Sequence, residues 1–105
     1  MERTELDIRL GNAIGECVAA IDALAQGQGK THSARNLAEC IRFIEKNFDK
    51  SNLINKEKTK KLLGFFREAK LAYNRCEIET LVSIRDTMVI TIMGAEKAKL
   101  LGIKA

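Results

Sequence analysis

Residues 56–73 read Lys56-Glu57-Lys58-Thr59-Lys60-Lys61-Leu62-Leu63-Gly64-Phe65-Phe66-Arg67-Glu68-Ala69-Lys70-Leu71-Ala72-Tyr73. Leu62, Phe66, Ala69 and Tyr73 follow one another at steps of four, three and four, the recurrence of one face of an α-helix. Leu63, Phe65 and Ala72 widen that face to three or four apolar columns, which suits a helix packed on a core better than a two-column coiled coil. A helix unbroken from Lys56 to Ala98 would exceed roughly 60 Å at 1.5 Å per residue, too long for a chain of 105 residues. A turn is therefore expected at Asn74-Arg75-Cys76-Glu77.

Upstream, Leu37, Ile41, Ile44 and Phe48 step four, three, four along a second helix that Thr31 or Ser33 can cap. Asp49-Lys50-Ser51-Asn52 carries turn chemistry, Asn55 offers an N-cap for the next helix, and Leu53 and Ile54 are expected to tuck beneath. The first helix spans Glu5 to Ala25 on the stripe Leu10, Ile14, Cys17, Ile21 and Leu24, and ends at Gly27-Gln28-Gly29. Gly11 and Gly15, four apart, suggest a close approach by a neighbouring helix. Downstream, Leu81, Ile84, Met88, Ile92 and Ala95 mark a fourth helix, followed by a frayed tail over residues 99–105. The β-branched run Val89-Ile90-Thr91-Ile92 is compatible with a strand, but a lone strand would have no ladder partner. The expected fold is all-α, one domain over residues 1–105, arranged as an antiparallel up-and-down four-helix bundle.

A hydrophobic fraction of 46% and a charged fraction of 30% are ordinary for a globular domain, and the absence of proline leaves long helices unbroken. No apolar run reaches the roughly 18 to 20 residues of a membrane span, and Met1 to Leu10 is charged where a signal peptide is apolar. The reading is a cytoplasmic protein with no membrane association. Cys17, Cys40 and Cys76 fit no Cys-x-x-Cys spacing and lie on or beside apolar stripes, so all three are expected as reduced core thiols.

Chemistry-bearing motifs are few. Gly29-Lys30-Thr31 matches the end of a phosphate-binding loop, but Leu24 stands where the first glycine belongs and a helix precedes it in place of a strand. His32 is the single histidine, and Ser33-Ala34-Arg35-Asn36 follows it where a phosphotransfer histidine is followed by lysine and glycine. No Glu-x-x-His pair is present for a carboxylate-bridged metal. We expect no catalytic residue, no metal ligand set and no cofactor, and therefore no enzyme.

Charge is uneven. From Lys46 to Arg75 nine basic residues meet three acidic ones, a net +6 against +4 for the whole chain. Lys56, Lys58, Lys60 and Lys61 open the third helix, the end at which the helix dipole disfavours cations, so an acidic partner would account for them.

The second helix closes on Ile41-Arg42-Phe43-Ile44-Glu45-Lys46-Asn47-Phe48-Asp49, and the third meets the fourth around Ala72-Tyr73-Asn74-Arg75-Cys76-Glu77. Over roughly Leu10 to Lys97 these helix lengths and turns resemble the flagellar secretion chaperone family FliS. The resemblance implies a bacterial export chaperone that holds an extended, partly helical client over apolar grooves on the outside of its bundle.

Beyond the single stripes, Leu63, Phe65, Val82, Val89, Ile90 and Met93 form an apolar surplus that a bundle of this size is not expected to bury. Phe65, Leu63, Val89, Ile90 and Met93 are thus the candidate partner-binding residues, for a helical client or for a second copy in a homodimer. A second reading makes Lys56, Lys58, Lys60 and Lys61 a basic patch for nucleic acid or an acidic partner. With 5% aromatics and no tryptophan, few rings are available to stack on bases.

Adjacent residues on a helix point about 100° apart, so Phe65 and Phe66 cannot serve the same core neighbour. Phe66 shares the main stripe and belongs to the core, whereas Phe65 sits at its margin beside Lys58 and Lys61. In urea denaturation, Phe66→Ala should cost about 3–5 kcal/mol and Phe65→Ala less than about 1.5 kcal/mol. Equal losses would place both rings in the core.

Overall fold

The chain reverses direction where a residue ends a helix in the left-handed conformation. In a computed structural model that describes residues 4–28, 30–50, 56–100 and 102, the helices are α1 (Glu5–Ala25), α2 (Lys30–Asn47), α3 (Lys56–Asn74), α4 (Ile78–Met93) and α5 (Ala95–Leu100). A 3₁₀ turn, Phe48–Lys50, extends α2. The protein is all-α, with no strand among the described residues. None of the helices is long and apolar enough to cross a membrane.

Thr4 starts α1 through a reciprocal cap: the Asp7 N–H donates to Thr4 Oγ1 at 3.1 Å, and the Thr4 N–H donates to Asp7 Oδ2 at 3.4 Å. At its other end Gly27 takes φ +76°, the Gly27 N–H donates to the Leu24 carbonyl and the Gln28 N–H to the Ala23 carbonyl. This pair of bonds is a Schellman cap, and it needs a left-handed residue where α1 stops. The end of α3 repeats it with Cys76 at φ +58°, bonding Tyr73, while Glu77 bonds Ala72. The expected turn at Asn74–Glu77 is therefore present, but Cys76 is exposed and not a core thiol. A left-handed turn residue projects away from the helix pair that it connects.

Several boundaries differ from the sequence reading. α2 begins at Lys30, so Thr31 and Ser33 lie inside its first turn, with Ser33 buried. The expected positions of Leu53, Ile54 and the Asn55 cap fall outside the described residues. The fourth segment stops at Met93 because Gly94 adopts φ +87° and ψ 156°, a region essentially closed to residues with a Cβ. Ala95, expected in α4, starts α5 instead, and Leu100 is still helical where fraying was expected.

α1 packs along α2 and α3 along α4, while α1 also meets α4, α2 meets α3, and α1 touches α3 across the centre. The Cα trace measures 39 × 32 × 18 Å, and its thin dimension is that of two helix layers about 8–10 Å apart. Leu10, Cys17 and Ile21 of α1, Leu37 and Ile44 of α2, Phe66 of α3, and Leu81 and Met88 of α4 are all at most 1% exposed. They form one continuous cluster, so each helix contributes its stripe to a single core. Phe65 packs only against the edge of this cluster, as its position 100° from Phe66 requires.

Gly11 and Gly15 are exposed, and a Cβ built on either meets nothing within 4 Å. The close helix approach expected from their spacing is absent, because the stripe that packs on α2 lies on the other side of α1. Each glycine then costs helix stability without a packing return. Gly11→Ala and Gly15→Ala should each raise the unfolding free energy by about 0.5–1 kcal/mol and together by about twice that, measured by urea midpoint.

Candidate functional site

The candidate residues named from the sequence do not converge on one patch. Leu63 is buried and lines a cleft with Glu45, Phe48 and Arg67, so it faces α2 and belongs to the core, not to an apolar surplus. Val89 is also buried, at 9% exposure, whereas Phe65, Val82, Ile90 and Met93 are half-buried. Of the six residues of the expected surplus, Leu63 and Val89 are buried and the other four are not fully so. The core face turns along α3 from Leu63 at its start to Ala72 at its end, so a second column is consumed.

Lys56, Lys58, Lys60 and Lys61 are all exposed. At 100° per residue they point roughly 0°, 200°, 40° and 140° around α3, so they wrap the helix and do not draw a strip along it. Lys56 lies over the Phe48 ring, 5.8 Å from its centroid. His32 is exposed in the first turn of α2.

Val89 and Met93 face α1 and help line a groove of about 440 Å³ with Val18, Ala19, Asp22, Gln26, Arg85 and Gly102. The floor is apolar and one wall is ionic. Arg85 Nη1 donates to Asp22 Oδ1 at 2.7 Å, tying α4 to α1, and Nε donates to Oδ1 of its neighbour Asp86 within α4 at 2.6 Å. Gln26 Nε2 adds a 3.0 Å bond to the other oxygen of Asp22. Burial by itself would lower the Arg85 pKa, but the hydrogen bonds and charges of Asp22 and Asp86 outweigh it, so the guanidinium is held above its ordinary range. Of these charged groups Asp22 and Arg85 line the groove, so its ionic wall is one opposite-charge pair.

A second opening, about 580 Å³, lies at the end of the molecule where both Schellman caps meet, lined by Leu24, Gly27, Tyr73, Asn74, Cys76 and Ile78. Ile78 is 52% exposed there. Sequence reasoning missed this opening. The signals were a glycine and a cysteine in the two turns with Ile78 following, but nothing in the spacing places the two turns side by side.

Between α1 and α2 the Cys40 thiol donates to Glu16 Oε2 at 3.2 Å and lies 3.6 Å from Asn36 Oδ1. Beside it Arg9 stacks on the Phe43 ring, 5.0 Å from the centroid. Burial, then the hydrogen bond and charge of Glu16, push the Cys40 pKa up to about 11. Cys17 is raised further, first by burial and then by Cys40 and Glu16. Neither thiol is primed to act as a nucleophile, since the thiolate is the reactive form. Among the described residues no group of three His, Cys, Asp or Glu side chains is placed to hold a metal ion.

No protein-family model, no curated protein and no solved structure matches this chain.

The thiols yield a chemical test. Iodoacetamide at pH 8 should modify Cys76 alone in the folded protein and all three cysteines in urea, read by peptide mass. Because Cys40 and Cys17 hold their protons more tightly when folded, their contribution to stability is complete below the ordinary thiol value of 9.0. As pH rises past that value towards about 11, the unfolded chain ionises first and stability falls. Urea midpoints at pH 8 and pH 10.5 should show this loss, and the loss should shrink in Cys40→Ala.

Proposed function

We propose that the protein is a non-catalytic, protein-binding helical bundle that holds a helical segment of a partner in the groove between α1 and α4. The observation that carries this reading is the groove itself: an apolar floor of Val18, Val89 and Met93 beside the Asp22–Arg85 ion pair. Recognition sites in helical bundles commonly combine an apolar trough with a few placed polar groups. The neighbour relations of α1 to α4 support an antiparallel up-and-down arrangement, in which such a trough runs along the outside of two helices. The resemblance to the FliS family supplies the narrower form of the proposal, a cytoplasmic export chaperone or adaptor for a helical client.

Nucleic-acid binding through Lys56, Lys58, Lys60 and Lys61 is less well supported. Four lysines distributed around a helix cannot all follow one phosphate backbone, and Lys56 is engaged with Phe48.

The immobilised full chain, exposed to extract of the source cell, should enrich a specific protein about tenfold over a Met93→Asp variant whose thermal melting matches wild type. Nuclease treatment should leave that enrichment unchanged. Identical protein profiles for the two baits would overturn the proposal, and a nuclease-sensitive profile would favour the lysine cluster instead.

A further inference from the structure

The opening between the two Schellman caps is lined by Leu24 and Gly27 from the end of α1, Tyr73, Asn74 and Cys76 from the end of α3, and Ile78 from the start of α4. Charged residues make up 30% of the chain, yet none of the described ones lines this space. Its volume of about 580 Å³ falls within the roughly 300–1,000 Å³ of small-molecule sites. Leu24 belongs to the core and Ile78 is half exposed, so the space runs from the core to solvent. The hydrogen bonds that end α1 and α3 also join lining residues to one another: the Gly27 N–H donates to the Leu24 carbonyl, and the Cys76 N–H to the Tyr73 carbonyl. The walls are therefore built before any ligand arrives.

The surroundings select the kind of occupant. A stable protein interface covers about 800 Å² on each partner, and the apolar surface here does not extend beyond the opening. Arg75, Glu77 and Glu79 are exposed around Cys76 and Ile78, and the exposed Leu71 of α3 points about 200° away from Tyr73. A charged molecule fits no better, because it would give up water to a lining that holds no opposite charge. Tyr73, Asn74 and Cys76 contribute a hydroxyl, an amide and a thiol, which are neutral polar groups able to orient a ligand by a hydrogen bond.

We propose that the opening between the caps is a binding site for a small uncharged molecule: an apolar ring or short chain that carries one hydroxyl or carbonyl group. The apolar part packs on Leu24 and Ile78, and the polar group bonds to Tyr73 or Asn74. This site shares no lining residue with the α1–α4 groove, so it stands independently of the protein-binding reading.

The test uses the full chain with 2-naphthylmethanol as the probe and 2-naphthoate as its charged counterpart. The alcohol should bind saturably with a Kd below about 1 mM, read from the amide shifts of Tyr73 and Ile78. At saturation it should slow iodoacetamide alkylation of Cys76 about fivefold, because a filled opening covers the thiol. The carboxylate should bind about tenfold more weakly. Ile78→Asp puts a charge into the lining at a half-exposed residue that is first in α4, where an acidic side chain suits the helix dipole, so the fold should hold. It should weaken binding of the alcohol about tenfold, whereas Leu71→Glu on the far side of α3 should leave it unchanged. Absence of saturable binding up to the solubility limit of the alcohol would overturn the site, as would binding that Ile78→Asp does not alter or that Leu71→Glu weakens equally. Equal affinity for the carboxylate would overturn the selection of an uncharged ligand. A dimer of wild type in sedimentation that Ile78→Asp converts to monomer would assign the opening to a second copy instead.

Discussion

Two left-handed residues, Gly27 and Cys76, set the conditions for everything else in the molecule. Each closes a Schellman cap, stops a helix at a defined residue and turns the chain back, so α1 meets α2 and α3 meets α4 along their lengths. With both reversals in place, four apolar stripes face one another and a single core forms around Phe66, Leu10, Ile21 and Ile44. The opening at Leu24, Tyr73 and Ile78 follows from the same arrangement, since both caps lie at that end of the molecule. Cysteine tolerates this backbone poorly compared with glycine, at a cost of roughly 1–2 kcal/mol, and the two cap hydrogen bonds offset part of that cost.

The polar interactions divide by location. Arg85 is partly shielded and bridges two helices through Asp22, which makes that pair part of the packing as well as of the groove's wall. The Arg67–Glu45 pair is slightly longer, at 2.9 Å, and both side chains are about half exposed, so solvent screening leaves it little weight. The Cys40–Glu16 contact lies between these extremes. It satisfies a thiol at the edge of the core and keeps it protonated, which suits a structural residue and not a redox centre. The same contrast between anchored and exposed groups recurs in α5, where Ala98 is the single buried residue among exposed neighbours.

Much of the fold was legible in the chain because helical periodicity is a local property. The stripes of α1, α2, α3 and α4, the division of Phe66 from Phe65, and the turn at Asn74 to Glu77 all follow from spacing at 3.6 residues per turn. The errors share a different cause. Gly11 and Gly15 suggested a close helix approach, Cys76 a core thiol, and Leu63 and Val89 a surface surplus, and each depended on which neighbour lies across from the residue. The fourth stripe was carried across Gly94 to Ala95, and the break there came from the φ of +87° that the folded chain imposes.

The sequence by itself therefore determined that this protein is helical, roughly where its four long helices run, and which stripe of each is apolar, because those properties rest on interactions within a few residues. It also determined the excess of basic charge in the segment that opens α3. Tertiary structure alone decided that Val18 of α1 and Val89 and Met93 of α4 share one groove and that Arg85 of α4 meets Asp22 of α1 at its wall. Those relations join residues more than sixty positions apart, and spacing along a chain carries no information about which helix a face will meet.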